Sequence, residues 1–195
     1  MANPIPPALR LRGVRLAGLL AIALEGEPAP AFGWETHWND VTVVPSDLAD
    51  PKAPHFADYA ITPRFDGPPR PVDLGSHRDA WKWRSRLREG IRRGPNFADH
   101  FTVITWGCGT DCTQVAIVCS WSGAVFFPRL LGALHVANVH DEVLEDGTLR
   151  FRRDSRLLVA VGMPNEDTLL RGVSYFEWTG NDLRPLFRVR RAWYK

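Results

Sequence analysis

The chain has 195 residues, a formal net charge of +2 with its histidines neutral, and a hydrophobic fraction of 45%. That length allows one domain with a real core. The near balance of charge argues against a global preference for nucleic acid or membrane surfaces. Eight tryptophans and ten phenylalanines suit an aromatic-rich β core, or an exposed aromatic platform for sugars or peptides.

Residues 1–31 read as an export signal. Arg10, Arg12 and Arg15 form a basic start, Leu16 to Leu24 an apolar run too short to span a bilayer, and Ala29-Pro30-Ala31 a cleavage site. The mature chain is expected to begin near Phe32, in the periplasm or outside the cell, where cysteines are oxidised. No later segment reads as a membrane span. Residues 32–75 are rich in proline and read as an extended segment pinned to the core by Phe56, Tyr59, Ile61 and Phe65, with a short strand at Val41–Val44.

Residues 76–195 read as a single α+β domain, a mostly antiparallel meandering sheet with one basic amphipathic helix packed on it. The helix is expected from Ser76, its N-cap, to Arg93. Ala80, Trp83, Leu87 and Ile91 share its apolar face, and Gly94-Pro95 stop it. Arg78, Lys82, Arg84, Arg86, Arg88, Arg92 and Arg93 face away from the core. They form either a solvated surface or a dock for an anionic partner, with Arg84 and Arg88 as contacts.

The most distinctive stretch runs from Gly94 to Val118. A strand from His100 to Trp106, a turn, and a strand from Thr113 to Cys119 make a hairpin. Gly107 and Gly109 are expected to supply positive φ angles. Cys108 and Cys112 flank Gly-Thr-Asp, read as a three-residue loop. Residues opposite each other in an antiparallel pair lie at roughly 4.5–5.5 Å, within reach of a disulfide. The favoured reading is therefore a structural Cys108–Cys112 bond with Cys119 free. Closing so short a loop stabilises by only about 2 kcal/mol and mainly fixes its shape. A cysteine nucleophile with His100 as base is the catalytic alternative, although the two would sit roughly 20 Å apart along one strand. A zinc site would need a second ligand pair that does not follow, and a C-x-x-C redox motif is absent.

The sequence Gly-Pro-Asn-Phe-Ala-Asp-His-Phe-Thr-Val-Ile-Thr-Trp-Gly-Cys-Gly-Thr-Asp-Cys, residues 94–112, resembles the signature of a family of exported bacterial proteins without an established activity. The likeness extends from about Phe56 to Trp178 and is sharp only from Gly94 to Val118. This chain has Asp99 where members usually carry Gly, and Cys119 where they carry Asp. The resemblance implies export and the hairpin, not a reaction.

Beyond the hairpin, strands are expected at Val125–Phe127, Val143–Leu144, Leu149–Arg152, Leu157–Gly162, Val173–Trp178 and Leu183–Arg190, with Asp146-Gly147 as a hairpin turn. His135 and His140 are five apart rather than the four a helical metal pair wants. Glu166-Asp167 lacks the spaced acidic ligands of a calcium loop. There is no P-loop, Rossmann fingerprint or G-x-S-x-G elbow, and no cofactor or metal is called for. The sequence thus points to a non-catalytic envelope module that binds a protein or a glycan, with Asn96, Trp106 and Asp111 as further contacts. A hydrolase using His100, Cys108 or Cys112 is the alternative.

Overall fold

The computed structural model describes residues 41–191. The expected export signal and cleavage site lie outside them. All described residues belong to one compact unit. The strands are β1 (Phe101–Gly109), β2 (Cys112–Cys119), β3 (Val125–Phe126), β4 (Ala133–His135), β5 (Leu149–Phe151), β6 (Leu157–Pro164), β7 (Gly172–Trp178) and β8 (Leu183–Arg190). They form an open eight-stranded sheet of order β1-β2-β4-β6-β7-β8, with β3 on β2 and β5 on β6. Every pairing between these strands is antiparallel. Among the described residues two α-helices accompany them, α1 (Arg84–Ile91) and the short α2 (Asp141–Glu145).

Strand alternation sorts the core into two faces. Phe101, Val103, Val115, Ile117, Leu158, Ala160, Phe176 and Trp178 share one cluster. Residues of the opposite parity face the other way. Ile104, Trp106, Ala116 and Val118 pack with Leu87 and Ile91 of α1. Leu157, Val159, Val161, Val173 and Tyr175 pack with Val43, Ala53 and Val143. In a flat sheet β1 and β7, four places apart, would be separated by about 19 Å at the usual interstrand spacing. Yet the rings of Phe101 and Trp178 meet at 5.1 Å, and those of Phe126 and Trp178 at 5.5 Å. The sheet therefore curls around the shared face, and Trp178, 1% exposed, fills the concavity.

The two halves of the sheet are joined by three-residue β4, which pairs with the start of β2 and the end of β6. Gly162 makes this approach feasible. Its φ is +129°, and a Cβ there would lie 2.4 Å from the carbonyl oxygen of His135.

Several expectations are corrected. The helix begins at Arg84, not Ser76. Ser76 cannot cap it, because its hydroxyl donates to the Asp73 carbonyl and accepts from the Val125 amide. Residues 78–83 instead form successive turns, with Ala80 N donating to His77 O and Arg84 N to Trp81 O. Val41–Val44 is not a strand, since only Val43 forms a bridge, to Val139. Val143 and Leu144 lie in α2, whose first turn is acidic and so matches the positive end of the helix dipole. Gly147, at φ +87°, follows this helix as its left-handed terminator rather than turning a hairpin.

The proline-rich segment contains two short 3-10 helices, Pro45–Ala49 and Phe56–Tyr59. Backbone hydrogen bonds hold it at several points, among them Ile61 N to Asp154 O, Arg70 N to Ser120 O and Asp73 N to Gly123 O. Asp47, 6% exposed, receives a two-pronged hydrogen bond from the Arg191 guanidinium at 2.8–3.1 Å.

Replacing Gly162 by Ala should destabilise the protein by more than about 2 kcal/mol, because β4 must move away from β6. Gly67→Ala, at φ +107° with open space around it, carries only the conformational strain. Urea unfolding of the two variants side by side checks the difference.

Candidate functional site

The hairpin tip is built by a bulge. Gly107 pairs with Thr113 and Gly109 with Cys112, so Cys108 is the extra residue on β1. The reversal is thus the two-residue turn Thr110-Asp111, not a three-residue loop. Gly109 at φ +150° and Asp111 at φ +53° take the unusual backbone angles, while Gly107 does not. Asp occupies the left-handed region more readily than most residues. Cys108 and Cys112 are bonded, with their Cα atoms 5.2 Å apart. Cys119 is free and buried. Residues Gly107 to Asp111 are all exposed, and Cys112 is buried beneath them. The base of the tip is fixed by Val136 N donating to Asp111 O at 2.8 Å and by the pairing of Cys112 with His135.

The sequence-based contacts separate in space. Asp111 projects from the tip, but Trp106 is 7% exposed. Its ring lies 5.0 Å from that of Trp83, and its Nε1 donates to Gln114 Oε1. Trp106 therefore belongs to the core beneath α1 and offers little area to a partner. Asn96 is also occupied. Its Oδ1 accepts from Val103 N at 2.8 Å, and its Nδ2 donates to Val103 O at 3.2 Å. Arg84 is exposed but turned back on its own chain, donating to Trp81 O and lying over the Trp81 ring. Arg88 is exposed and faces the proline-rich strip across a groove.

His100 precedes β1, at the end remote from the disulfide. Its ring stacks on Trp121 at 3.8 Å, and its Nδ1 sits 3.1 Å from Asp99 Oδ2. Asp99 itself was not singled out by sequence reasoning. It is 9% exposed and adopts φ +71° directly after Ala98 at φ +42°. Its Oδ1 accepts from the amides of Arg64 at 2.6 Å and Phe65 at 2.7 Å. Its own amide donates to Arg153 O, and its carbonyl accepts from Arg153 Nε. Burial alone would raise the Asp99 pKa, but the Phe65 amide, His100 and the Arg64 amide together hold it below the ordinary carboxylate value. The only sequence signal was an aspartate in a position where the resemblance implies glycine, which suits a left-handed backbone.

Chemically, the Asp99–His100 pair can orient an imidazole. The sulfurs of Cys108 and Cys112, bonded to each other at the far end of β1, present no thiolate to it. Among the described residues, no group of three or more His, Cys, Asp or Glu is placed to hold a metal ion. No family model, curated protein or solved structure matches this chain.

Asp99→Ala should lower stability near pH 7 by about 2–4 kcal/mol, because two amides lose a charged acceptor. A carboxylate with a depressed folded-state pKa stabilises above its unfolded value, about 3.9, and loses that contribution as pH falls through the folded value. The gap between wild type and Asp99→Ala should therefore narrow below about pH 4. Urea titrations at neutral and acid pH measure it.

Proposed function

We propose that this chain is an exported bacterial envelope protein acting as a non-catalytic binding module for a protein or glycan, with the hairpin tip as its contact surface. The observation that carries the reading is the exposed run Gly107–Asp111, braced by the Cys108–Cys112 bond and seated on a hydrogen-bonded base. A loop fixed before binding loses less entropy when a partner docks. The bond contributes only about 2 kcal/mol to stability, so its larger effect is on shape. Asp111 supplies a directional acceptor at the summit. An intramolecular disulfide suits an oxidising compartment, as does the resemblance of residues 94–118 to exported proteins. No helix among the described residues is long and apolar enough to cross a membrane.

The Asp99–His100 pair favours a second reading, a hydrolase in which Asp99 orients His100 as a general base. Trp121 stacked on the ring limits the directions from which a substrate can reach it. His100→Gln separates the two readings, since a binding module keeps its partner through this change and a hydrolase loses turnover.

A photo-crosslinking residue placed at Thr110 should capture a partner in the envelope of the native host, while the same residue at Arg78 should not. In a Cys108→Ser/Cys112→Ser variant, capture should drop severalfold while the unfolding free energy falls by only about 2 kcal/mol. Equal capture from both positions, or none from Thr110, overturns the reading.

A further inference from the structure

We propose that the groove between the proline-rich strip and α1 binds an acidic peptide segment. The inference rests on the binding-module reading but uses a different surface from the hairpin tip. The groove encloses about 530 Å³. Its apolar surface comes from Pro68, Pro69, Pro71 and Val72 on one wall and Ile91 on the other; among the described residues, Arg70, Arg88 and Arg92 are its only charged lining residues.

All three arginines are exposed. None takes part in the ion pairs found among the described residues. Glu89, the carboxylate of α1, is 3.9 Å from Arg93 instead. Three unpaired guanidinium groups around one concavity create a local positive field that only an anion relieves. Each presents a fork of donors that matches a carboxylate.

Both walls are set before any ligand arrives. Proline rings fix φ along Pro68, Pro69 and Pro71. The strip is tied to the turn between β2 and β3, from within by Arg70 N to Ser120 O and just beyond its end by Asp73 N to Gly123 O, each at 2.9 Å. The opposite wall is anchored by Leu87 and Ile91, buried against Ile104 and Val118.

The lining selects the class of anion. Among the described residues that line it there is no aromatic ring on which the face of a sugar could stack, and its apolar part is aliphatic, suited to an aliphatic side chain. Arg88 and Arg92 lie four residues apart along a helical backbone, Arg92 being the residue that caps α1 in helical conformation. That spacing is about 6 Å along the helix axis. Alternate side chains of an extended peptide recur at about 6.8 Å on one side. Carboxylates at positions i and i+2 would meet Arg88 and Arg92, the residue between them would turn toward the prolines, and Arg70 would take a further carboxylate.

The test uses the full chain and a fluorescein-labelled peptide of alternating aspartate and leucine, followed by anisotropy at low and moderate salt. Binding should weaken as salt rises. It should fall at least tenfold in Arg88→Ala/Arg92→Ala and in Arg70→Glu, and persist in Arg78→Ala. A peptide with asparagine in place of aspartate should bind at least tenfold more weakly. Unchanged melting of the groove variants assigns their loss to contact rather than folding. Wild-type affinity in the double variant overturns the inference, as does binding of polygalacturonate without binding of the peptide. Crosslinking from Thr110 without any groove binding overturns it too, and leaves the binding-module reading standing.

Discussion

Asp99 is the point at which three distant stretches of chain are held together. Its side chain accepts from Arg64 and Phe65 in the proline-rich segment and faces His100 at the start of β1. Its backbone is engaged by Arg153, which also donates to the Phe65 carbonyl. This arrangement requires two successive non-glycine residues at positive φ, which is strained by roughly 1–2 kcal/mol at each position. Charged hydrogen bonds of about 1.5–3 kcal/mol offset that strain. The direction in which β1 leaves the turn, and so the orientation of the whole hairpin, follows from this junction.

From there the fold is a matter of curvature. Once β1 is aimed, Phe101 lands against Trp178, and the sheet must bend for the two rings to touch. Bending leaves a convex side in two parts, and different elements cover each. Helix α1 covers β1 and β2, while residues 43–59 and α2 cover β6 and β7. The groove lies between α1 and Pro68–Val72, and Val72 packs in the same cluster as α1, so both of its walls belong to the cover over β1 and β2. The hairpin tip extends beyond this cover, which is why its five residues are exposed while most of the strand behind them is buried.

The β elements were the most legible in the sequence. β8 was bounded to the residue, and β6 and β7 to within two, because their apolar or β-forming runs are bounded by clear turn residues. The disulfide was legible because the spacing of Cys108 and Cys112 left few geometries. What failed was decided by contacts between distant residues. Ser76 has the chemistry of a cap, but the Val125 amide claims its hydroxyl. Val143 and Leu144 favour strand taken alone, yet the acids before them and Gly147 after them make a short helix. Trp106 looked like a contact because large aromatics serve in both interfaces and cores, and only packing against Trp83 distinguishes the two roles. The candidate groove was half visible. Arg88 and Arg92 stood out on the helix, but nothing local indicates that Arg70 faces them, since that proximity exists only after the proline strip has been laid against the turn between β2 and β3.

Asn96 illustrates how a side chain can act as a fragment of backbone. Phe101 and Val103 turn their amide and carbonyl groups away from β2, toward the open side of β1. The chain folds back to meet the first through Phe97, and the carboxamide of Asn96 meets the second with one donor and one acceptor. A primary amide has the same donor and acceptor geometry as a peptide group, so Asn96 supplies one rung of a neighbouring strand without the rest of it. Together with the bulge at Cys108, which breaks the regular ladder farther along, it leaves only a short flat stretch on which another molecule could continue the sheet. The same residue that completes β1 is therefore a guard against intermolecular sheet growth.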